Sequence, residues 1–147
     1  MSTSASQVEA LQDTLAAEHA AVQLLGAFGG ALSATADPGL HLLLVARHRR
    51  HRERREFLTV TLRGLGETPV PAAAAYALPD DLGDPVVVRE EGARTEDRCL
   101  QRYATLVAAS TAELRAWAIE ALAESAGALV SWGNPPTAFP GAPELQD

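Results

Sequence analysis

Residues 66–84 read GETPVPAAAAYALPDDLGD, and this stretch decides how the helical segments on either side of it are connected. It is rich in proline, alanine and aspartate, which disfavours a helix within it. A chain of about 18 residues, at about 3.3 Å per residue, can span roughly 60 Å, whereas a helix of about 27 residues is roughly 40 Å long. The stretch is therefore long enough to run the whole length of a helical bundle and to begin the next helix at the far end.

Four long segments carry helical signals, and strand signals are confined to the short run 86–88. A capping box at Ser4 or Ser6 opens the first helix, and Gly29–Gly30 is predicted to end it after Phe28. The second and third helices each begin with an aspartate N-cap followed by proline, and a capping box at Ser110 opens the fourth. The predicted helices cover about 4–28, 37–64, 84–109 and 110–132.

The lengths of the connections predict the topology. The first two helices and the last two are joined by short links, so each pair should form an antiparallel hairpin. Two hairpins joined by one long crossover are the connectivity of an all-α, ferritin-like four-helix bundle. We expect residues 1–147 to form a single domain, with an irregular tail after Asn134.

Composition narrows the class of protein. The net charge of -7 weighs against a role in nucleic-acid binding, and no run approaches the roughly 18 apolar residues of a membrane span. The N-terminal ten residues lack the cationic start and apolar stretch of a secretory signal. A single cysteine, Cys99, permits no internal disulfide, which favours a cytoplasmic location. We also predict that the protein is a homodimer.

Ionisable residues interrupt the apolar stripes of three predicted helices. Glu18 takes the place of an apolar residue in the first helix, and Glu96 does so in the third. In the second helix, the stripe through Leu44 and Leu58 crosses the stretch RHRRHRERRE at 47–56. Continued at helical spacing, it predicts that three residues of this stretch face inward: His48, His51 and Arg55.

Burying an unpaired carboxylate is costly, so these groups must meet each other or a cation. One interpretation is a polar network that fixes the register of the helices. It comprises two carboxylates and the cationic groups around them: Glu18, Glu96, His48, His51, Arg55 and Arg115.

A metal site is the alternative interpretation, because carboxylates and imidazoles inside a four-helix bundle are ligands for iron or manganese. Its predicted ligands are Glu18, His48, His51 and Glu96. A di-iron centre needs Glu-x-x-His on two helices. The second helix instead offers His48-x-x-His51 and the fourth contains no histidine, so the ligand set is incomplete.

A third interpretation concerns the remaining arginines of this stretch. They fall mainly off the inward line, where they can stay solvated or bind an anionic partner such as nucleic acid. These residues are Arg49, Arg50, Arg52 and Arg54.

Five segments resemble, in order, an uncharacterised bacterial family that has a ferritin-like fold and is common in actinobacteria. They are LAAEHAAVQLLGAFGG (15–30), HRERREFLTVTLRGLG (51–66), AAAAYALP (72–79), EDRCLQRY (96–103) and WGNPPTAFPGAP (132–143). The resemblance implies a ferritin-like architecture and no particular activity. Leu25 departs from it, since a tyrosine is usual before the glycine of the first motif, and Glu53 stands where a small residue is common.

Overall fold

The structure, a computed structural model, describes residues 4–145 and consists of four α-helices and a short 3-10 helix. Residues 1–3 of the predicted non-secretory N-terminus and residues 146–147 of the predicted tail lie outside the described part. The elements are α1 (Ala5–Ala31), α2 (Pro38–Gly64), α3 (Pro85–Ala109), α4 (Ala112–Trp132) and the 3-10 helix Pro143–Leu145. Within the described residues no strand forms, so the all-α prediction is confirmed.

Three of the four predicted helix starts are built as the sequence indicates. The side chains of Ser4, Asp37 and Asp84 each accept a hydrogen bond from a backbone N–H in the first turn that follows. The capping box at Ser110 is wrong, because this hydroxyl donates instead to the carbonyl of Leu106 at 2.6 Å. Thr111 is the N-cap residue of α4, and its side chain forms no capping hydrogen bond.

The predicted end of α1 is also wrong, because the helix continues through Gly29 and Gly30 to Ala31. Each glycine inside a helix costs about 0.5–1 kcal/mol relative to alanine. Continuing the helix places its C-cap residue, Leu32, in the apolar core, where it is 5% exposed. Burial of a large apolar side chain contributes about 1.5–3 kcal/mol, which offsets the cost of the glycines.

The crossover at 66–84 runs from one end of the bundle to the other. Near its start, the Gln12 side chain binds the backbone of Thr68 and Val70. Near its end, a Cβ placed on Gly83 would lie 3.1 Å from the carbonyl oxygen of Ala31, at the other end of α1. Helices α2 and α3 consequently run in the same direction, as the sequence predicts for two hairpins joined by a long crossover.

The core has an apolar region at each end of the bundle, which we call the first and second apolar layers. The first contains Leu11, Leu15, Leu58, Leu62, Tyr103 and Leu106. The second contains Leu25, Phe28, Leu40, Leu44, Val88 and Trp132. Helices α2 and α4 are linked in the first layer by Phe57 and Trp117, whose stacked rings have centroids 4.0 Å apart. No helix within residues 4–145 has the length and apolar character that crossing a membrane would require.

Candidate functional site

Between the two apolar layers, three helices bring acidic and imidazole groups together. Glu18 from α1, His51 from α2 and Glu96 from α3 are each at most 1% exposed. The Nδ1 atom of His51 lies 2.5 Å from Oε2 of Glu18, and its Nε2 atom lies 3.3 Å from Oε2 of Glu96. Because a carboxylate only accepts, both ring nitrogens must donate, and His51 is an imidazolium. Burial is the largest single influence on His51 and opposes this charge. The charge of Glu18 and the hydrogen bonds to neighbouring side chains together outweigh burial and raise the pKa of His51 well above its usual value.

Arg47 holds the second carboxylate in a two-point contact. Its Nε and Nη2 atoms donate to the two oxygens of Glu96 at 3.1 and 2.7 Å. Its Nη1 atom donates to Glu124 of α4 at 3.1 Å. Burial alone would raise the pKa of Glu96, yet hydrogen bonds and charge from His51 and Arg47 lower it far below the usual range. Glu96 is therefore a carboxylate at neutral pH.

A second buried arginine, Arg54, extends the cluster to α4. It is 3% exposed and donates to the hydroxyl of Ser125 at 2.8 Å, the carbonyl of Ala121 at 3.0 Å and the carboxylate of Glu124 at 3.2 Å. Its Nη1 atom lies 4.0 Å from one oxygen of Glu18 and 4.0 Å from one oxygen of Glu96. We call Glu18, Arg47, His51, Arg54 and Glu96 the charged cluster.

Two neutral side chains complete the surroundings of Glu18. The Tyr103 hydroxyl donates to Oε1 of Glu18 at 2.6 Å, and the Arg54 guanidinium lies 5.1 Å from the centre of the Tyr103 ring. Cys99 is 1% exposed, and its Sγ atom donates to the carbonyl of Ala17 at 3.8 Å. Burial and the charge of Glu18 raise the pKa of the Cys99 thiol. This cysteine is therefore a neutral thiol rather than a reactive thiolate.

Charges balance when the half-exposed Glu124 is counted with the cluster. Three carboxylates face three cationic side chains: Glu18, Glu96 and Glu124 against Arg47, His51 and Arg54. Each buried ion thus has a counter-ion within hydrogen-bond or ion-pair distance. Such matching is what makes buried charge tolerable in a protein interior.

Local packing explains why the cluster fits between the layers. A Cβ placed on Gly92 would lie 2.7 Å from the ring of Trp132, so only glycine leaves room for this indole. The Trp132 ring reaches the cluster through its Nε1 atom, 3.5 Å from Glu96. Ser125 and Ala121 provide small side chains where α4 faces Arg54. Small residues on α3 and α4 therefore create the space that the large groups fill.

The structure brings together some of the sequence-predicted residues and leaves others outside. Glu18, His51 and Glu96 meet as described. His48 and Arg55 are half-buried and form no hydrogen bond or ion pair with these three residues, and Arg115 is exposed and donates to the carbonyl of Val107. The predicted network therefore has the right carboxylates and imidazole but the wrong arginines.

Helical spacing explains this error. Between Leu44 and His51, an inward line can step by three or by four residues, and the apolar pattern does not distinguish Arg47 from His48. The same choice falls between Arg54 and Arg55 before Leu58. The buried residues are Arg47 and Arg54, because this side of α2 faces Glu124 on α4. A search for acidic partners on α4 would have favoured this choice.

The four arginines predicted to bind an anionic partner are not all exposed. Arg49, Arg50 and Arg52 are exposed as expected. Arg50 is engaged with Glu53 and Glu124, at 2.8 and 2.7 Å. Arg54 is buried, so its placement on the solvated face is wrong.

The donor set fits a metal ion poorly. Ligand atoms of Glu18, His51 and Cys99 lie within 4.8 Å of one another. However, Glu18 already accepts from Tyr103 and His51, and both His51 nitrogens face carboxylates. A cation would have to displace the His51 proton, which Glu18 and Glu96 stabilise. It would also lie close to the guanidinium groups of Arg47 and Arg54, whose positive charge opposes metal binding.

A cavity of about 560 Å³ lies between α1 and α3. Its walls include Ala16, Ala20, Thr95 and Cys99, and Tyr76 of the crossover closes part of it. The exposed residues Arg98 and Arg102 stand among its lining. Cys99 therefore lines this cavity and also lies close to Glu18 and His51.

Taken together, the geometry defines a class of all-α, four-helix proteins with a buried Glu/His/Arg cluster. The family model described as Domain of unknown function (DUF4439) matches residues 10–144, and the chain belongs to this family. It is also similar to the crystal structure of a conserved hypothetical protein from Mycobacterium tuberculosis, with 31% identity and a TM-score of 0.77. That alignment covers 86% of this chain and 94% of the other. No curated protein matches the chain.

Proposed function

We propose that this chain is a ferritin-like bundle in which arginine and histidinium groups take the place of metal ions, and that its role is non-enzymatic. The crossover and the parallel direction of α2 and α3 support a ferritin-like connectivity. The observation that carries the proposal is the pairing of Arg47 with both oxygens of Glu96, at 3.1 and 2.7 Å. This contact occupies the carboxylate that a metal would need.

Charge supports the same conclusion. Carboxylates in a ferritin-like core normally hold metal cations, and without such cations they must be neutralised in another way. Here Arg47, His51 and Arg54 supply that positive charge from α2 alone. The cluster then ties α2 to the other three helices and acts as a register-fixing network.

Elemental analysis tests this proposal. Untagged protein would be produced in medium supplemented with iron and manganese, and its metal content compared with that of the His48→Gln and Glu18→Gln variants. We expect metal far below one ion per chain in all three proteins. A stoichiometric metal that is lost with Glu18→Gln but kept with His48→Gln would overturn the proposal.

The arrangement of Glu18, His51 and Cys99, whose ligand atoms lie within 4.8 Å of one another, favours a second candidate function. On this alternative, the three residues bind iron or manganese for redox or oxidase-type chemistry once His51 has lost its proton. The same analysis distinguishes the two functions through Cys99→Ser. A metal lost in this variant would support the alternative, whereas an equally metal-free wild type and variant would exclude it.

Binding of an anionic partner has less support. Of the four arginines assigned to it, Arg54 is buried and Arg50 pairs with two glutamates. Only Arg49 and Arg52 of the four are left to bind an anion, and Glu53 and Glu56 lie close to them on the same helix. Binding to a nucleic-acid fragment at low salt that disappears in an Arg49→Gln/Arg52→Gln variant would restore this hypothesis.

We further propose that the chain is a single domain that works in the cytoplasm as a homodimer. Continuity of the core supports the single domain, since α1 contributes to both apolar layers. Large exposed apolar side chains on α2, notably Leu42 and Val60, support self-association. Sedimentation analysis of the untagged protein would test the homodimer, and a monomer at every concentration would contradict it.

A further inference from the structure

The outward face of α2 carries apolar and charged residues whose positions are symmetric about the middle of the helix. Leu42, Arg49, Glu53 and Val60 are separated by seven, four and seven residues, and at 3.6 residues per turn they stay within about 20° of one line along the helix. This line lies opposite the inward line that contains His51. Both symmetric pairs, Leu42 with Val60 and Arg49 with Glu53, are centred on residue 51.

These four side chains are available for contact with another molecule. Leu42 is 70% exposed and Val60 is 57% exposed. Arg49 is exposed and forms no ion pair with any residue from 4 to 145. Glu53 pairs with Arg50 where both side chains are about half exposed. Such a pair contributes about 0–1 kcal/mol, so Glu53 can exchange it for another arginine at little cost.

We propose, on the basis of the proposed homodimer, that α2 packs antiparallel against α2 of a second copy. In this register Leu42 contacts the partner's Val60, and Arg49 pairs with the partner's Glu53. The two-fold axis repeats both contacts, since an isologous interface uses the same surface on each copy. The interface thus has two ion pairs at its centre and an apolar contact at each end.

Charge complementarity favours a second copy over an unrelated partner. A line of like charges would repel its own copy, whereas here Arg49, the one arginine of the line, meets the partner's Glu53 when the helix is reversed. Val45, 52% exposed, lies one turn from Leu42 and widens the apolar end. The same pattern disfavours nucleic acid, because Glu53 and Glu56 place negative charge among Arg49 and Arg52.

Cross-linking tests the register directly. Leu42→Cys and Val60→Cys would be prepared as separate single variants, in a chain whose native Cys99 is buried, and oxidised alone or mixed. We expect disulfide-linked dimers only in the mixture, because positions 42 of the two copies lie about 27 Å apart in this register and a disulfide needs Cα atoms about 4.4–6.8 Å apart. Cross-linking of Leu42→Cys with itself would overturn the register.

Charge reversal tests the central pairs independently of any cysteine. Arg49→Glu and Glu53→Arg should each weaken the dimer about tenfold or more, equivalent to about 1.4 kcal/mol, whereas the double variant should restore it. Arg63→Glu makes the same charge change outside the stretch from Leu42 to Val60, and it should leave the dissociation constant of the dimer unchanged. Sedimentation equilibrium gives the dissociation constants, and thermal melts check that each variant is folded.

The outcomes separate this surface from the dimer itself. A wild-type monomer at all concentrations would overturn both the homodimer and the surface. A dimer that tolerates either single charge reversal, or that shows no cross-link in the mixture, would leave the homodimer standing and overturn the α2 surface. A double variant as weak as the single ones would overturn the pairing of Arg49 with Glu53.

Discussion

The middle of this core and its two ends are built from the same helices, but different forces hold them. In the apolar layers, residues such as Leu15 and Leu44 are buried by the hydrophobic effect, which has no direction and accepts any well-packed neighbour. In the charged cluster, each ion needs an oppositely charged partner in a fixed position. Arg47, for example, donates hydrogen bonds to both oxygens of Glu96. The ends should therefore tolerate conservative change, whereas the middle should tolerate change only when both partners of an ion pair change together.

Loss of a single cluster partner should have the largest effect. Arg47→Met removes two donors from Glu96, whose side chain is 1% exposed. We expect the free energy of unfolding to fall by about 3–5 kcal/mol, because an uncompensated buried charge remains. Urea unfolding measures this change.

Arg50→Met is the matched control. Like Arg47, Arg50 forms an ion pair with Glu124, but the Arg50 side chain is 47% exposed. An exposed ion pair contributes at most about 1 kcal/mol. If both substitutions had equally small effects, the distinction between the middle and the ends of the core would be lost.

Replacement of the cluster as a unit should reverse the sign of the effect. The variant would replace four of the five cluster members, through Glu18→Leu, Arg47→Met, His51→Leu and Glu96→Leu, and would add Tyr103→Phe. Arg54 would remain, because it keeps its hydrogen bonds to Ser125, Ala121 and Glu124. Well-packed apolar replacements of buried ion pairs are often neutral or stabilising by about 1–4 kcal/mol. We expect this protein to be at least as stable as wild type in urea unfolding, and Glu18→Leu alone to be less stable. A combined variant less stable than Arg47→Met would show that the cluster stabilises the fold beyond the pairing of its charges.

The sequence predicts the apolar layers well, because their periodicity contains the needed information. Glu96, predicted to interrupt the apolar stripe of the third helix, is buried, as are Leu44 and Leu58 of the stripe in the second helix. The length of the crossover predicts that α2 and α3 are parallel. The end of α1 could not be predicted from Gly29–Gly30, because burial of Leu32 in the tertiary structure outweighs a local stop signal.

The charged cluster could be predicted only in part. Its carboxylates and His51 interrupt apolar stripes, which makes them visible, but the choice between neighbouring arginines depends on the position of α4. Glu124 decides that choice by facing Arg47 and Arg54, and no periodicity within α2 contains this information. Tyr103 shows the same limit, since no periodicity in the sequence indicates its hydrogen bond to Glu18.

A smaller effect should follow from crowding where the second apolar layer meets the cluster. Gly92→Ala places a Cβ 2.7 Å from the Trp132 ring, and overpacking of this kind costs about 1–3 kcal/mol. Gly127→Ala in α4 is the control, because a Cβ there meets no atom within 4 Å and should stabilise the helix by about 0.4–1 kcal/mol. Thermal unfolding that ranks the two variants in the opposite order would contradict this tight packing.

Titration of His51 should change the free energy of unfolding gradually with pH. Its pKa is raised well above the usual value, so the folded protein holds a proton that the unfolded chain releases above about pH 6.5. This contribution to stability is complete below that pH and is lost as the pH rises, by up to about 1.4 kcal/mol per pH unit. Glu96, whose pKa is lowered, acts in the opposite direction, and its contribution is lost only as the pH falls below about 4.5.

Stability measured by urea unfolding between pH 6 and 8 should therefore decline as the pH rises. His51→Gln should remove this decline, although the variant is less stable throughout. His48→Gln should preserve it, because the half-buried His48 has its pKa lowered by burial and by nearby Arg52, and its contribution is complete above about pH 6.5. A stability that stays constant or rises from pH 6.5 to 8 would mean that His51 is not held as an imidazolium between Glu18 and Glu96, and the charge balance of the middle layer would then require another cation.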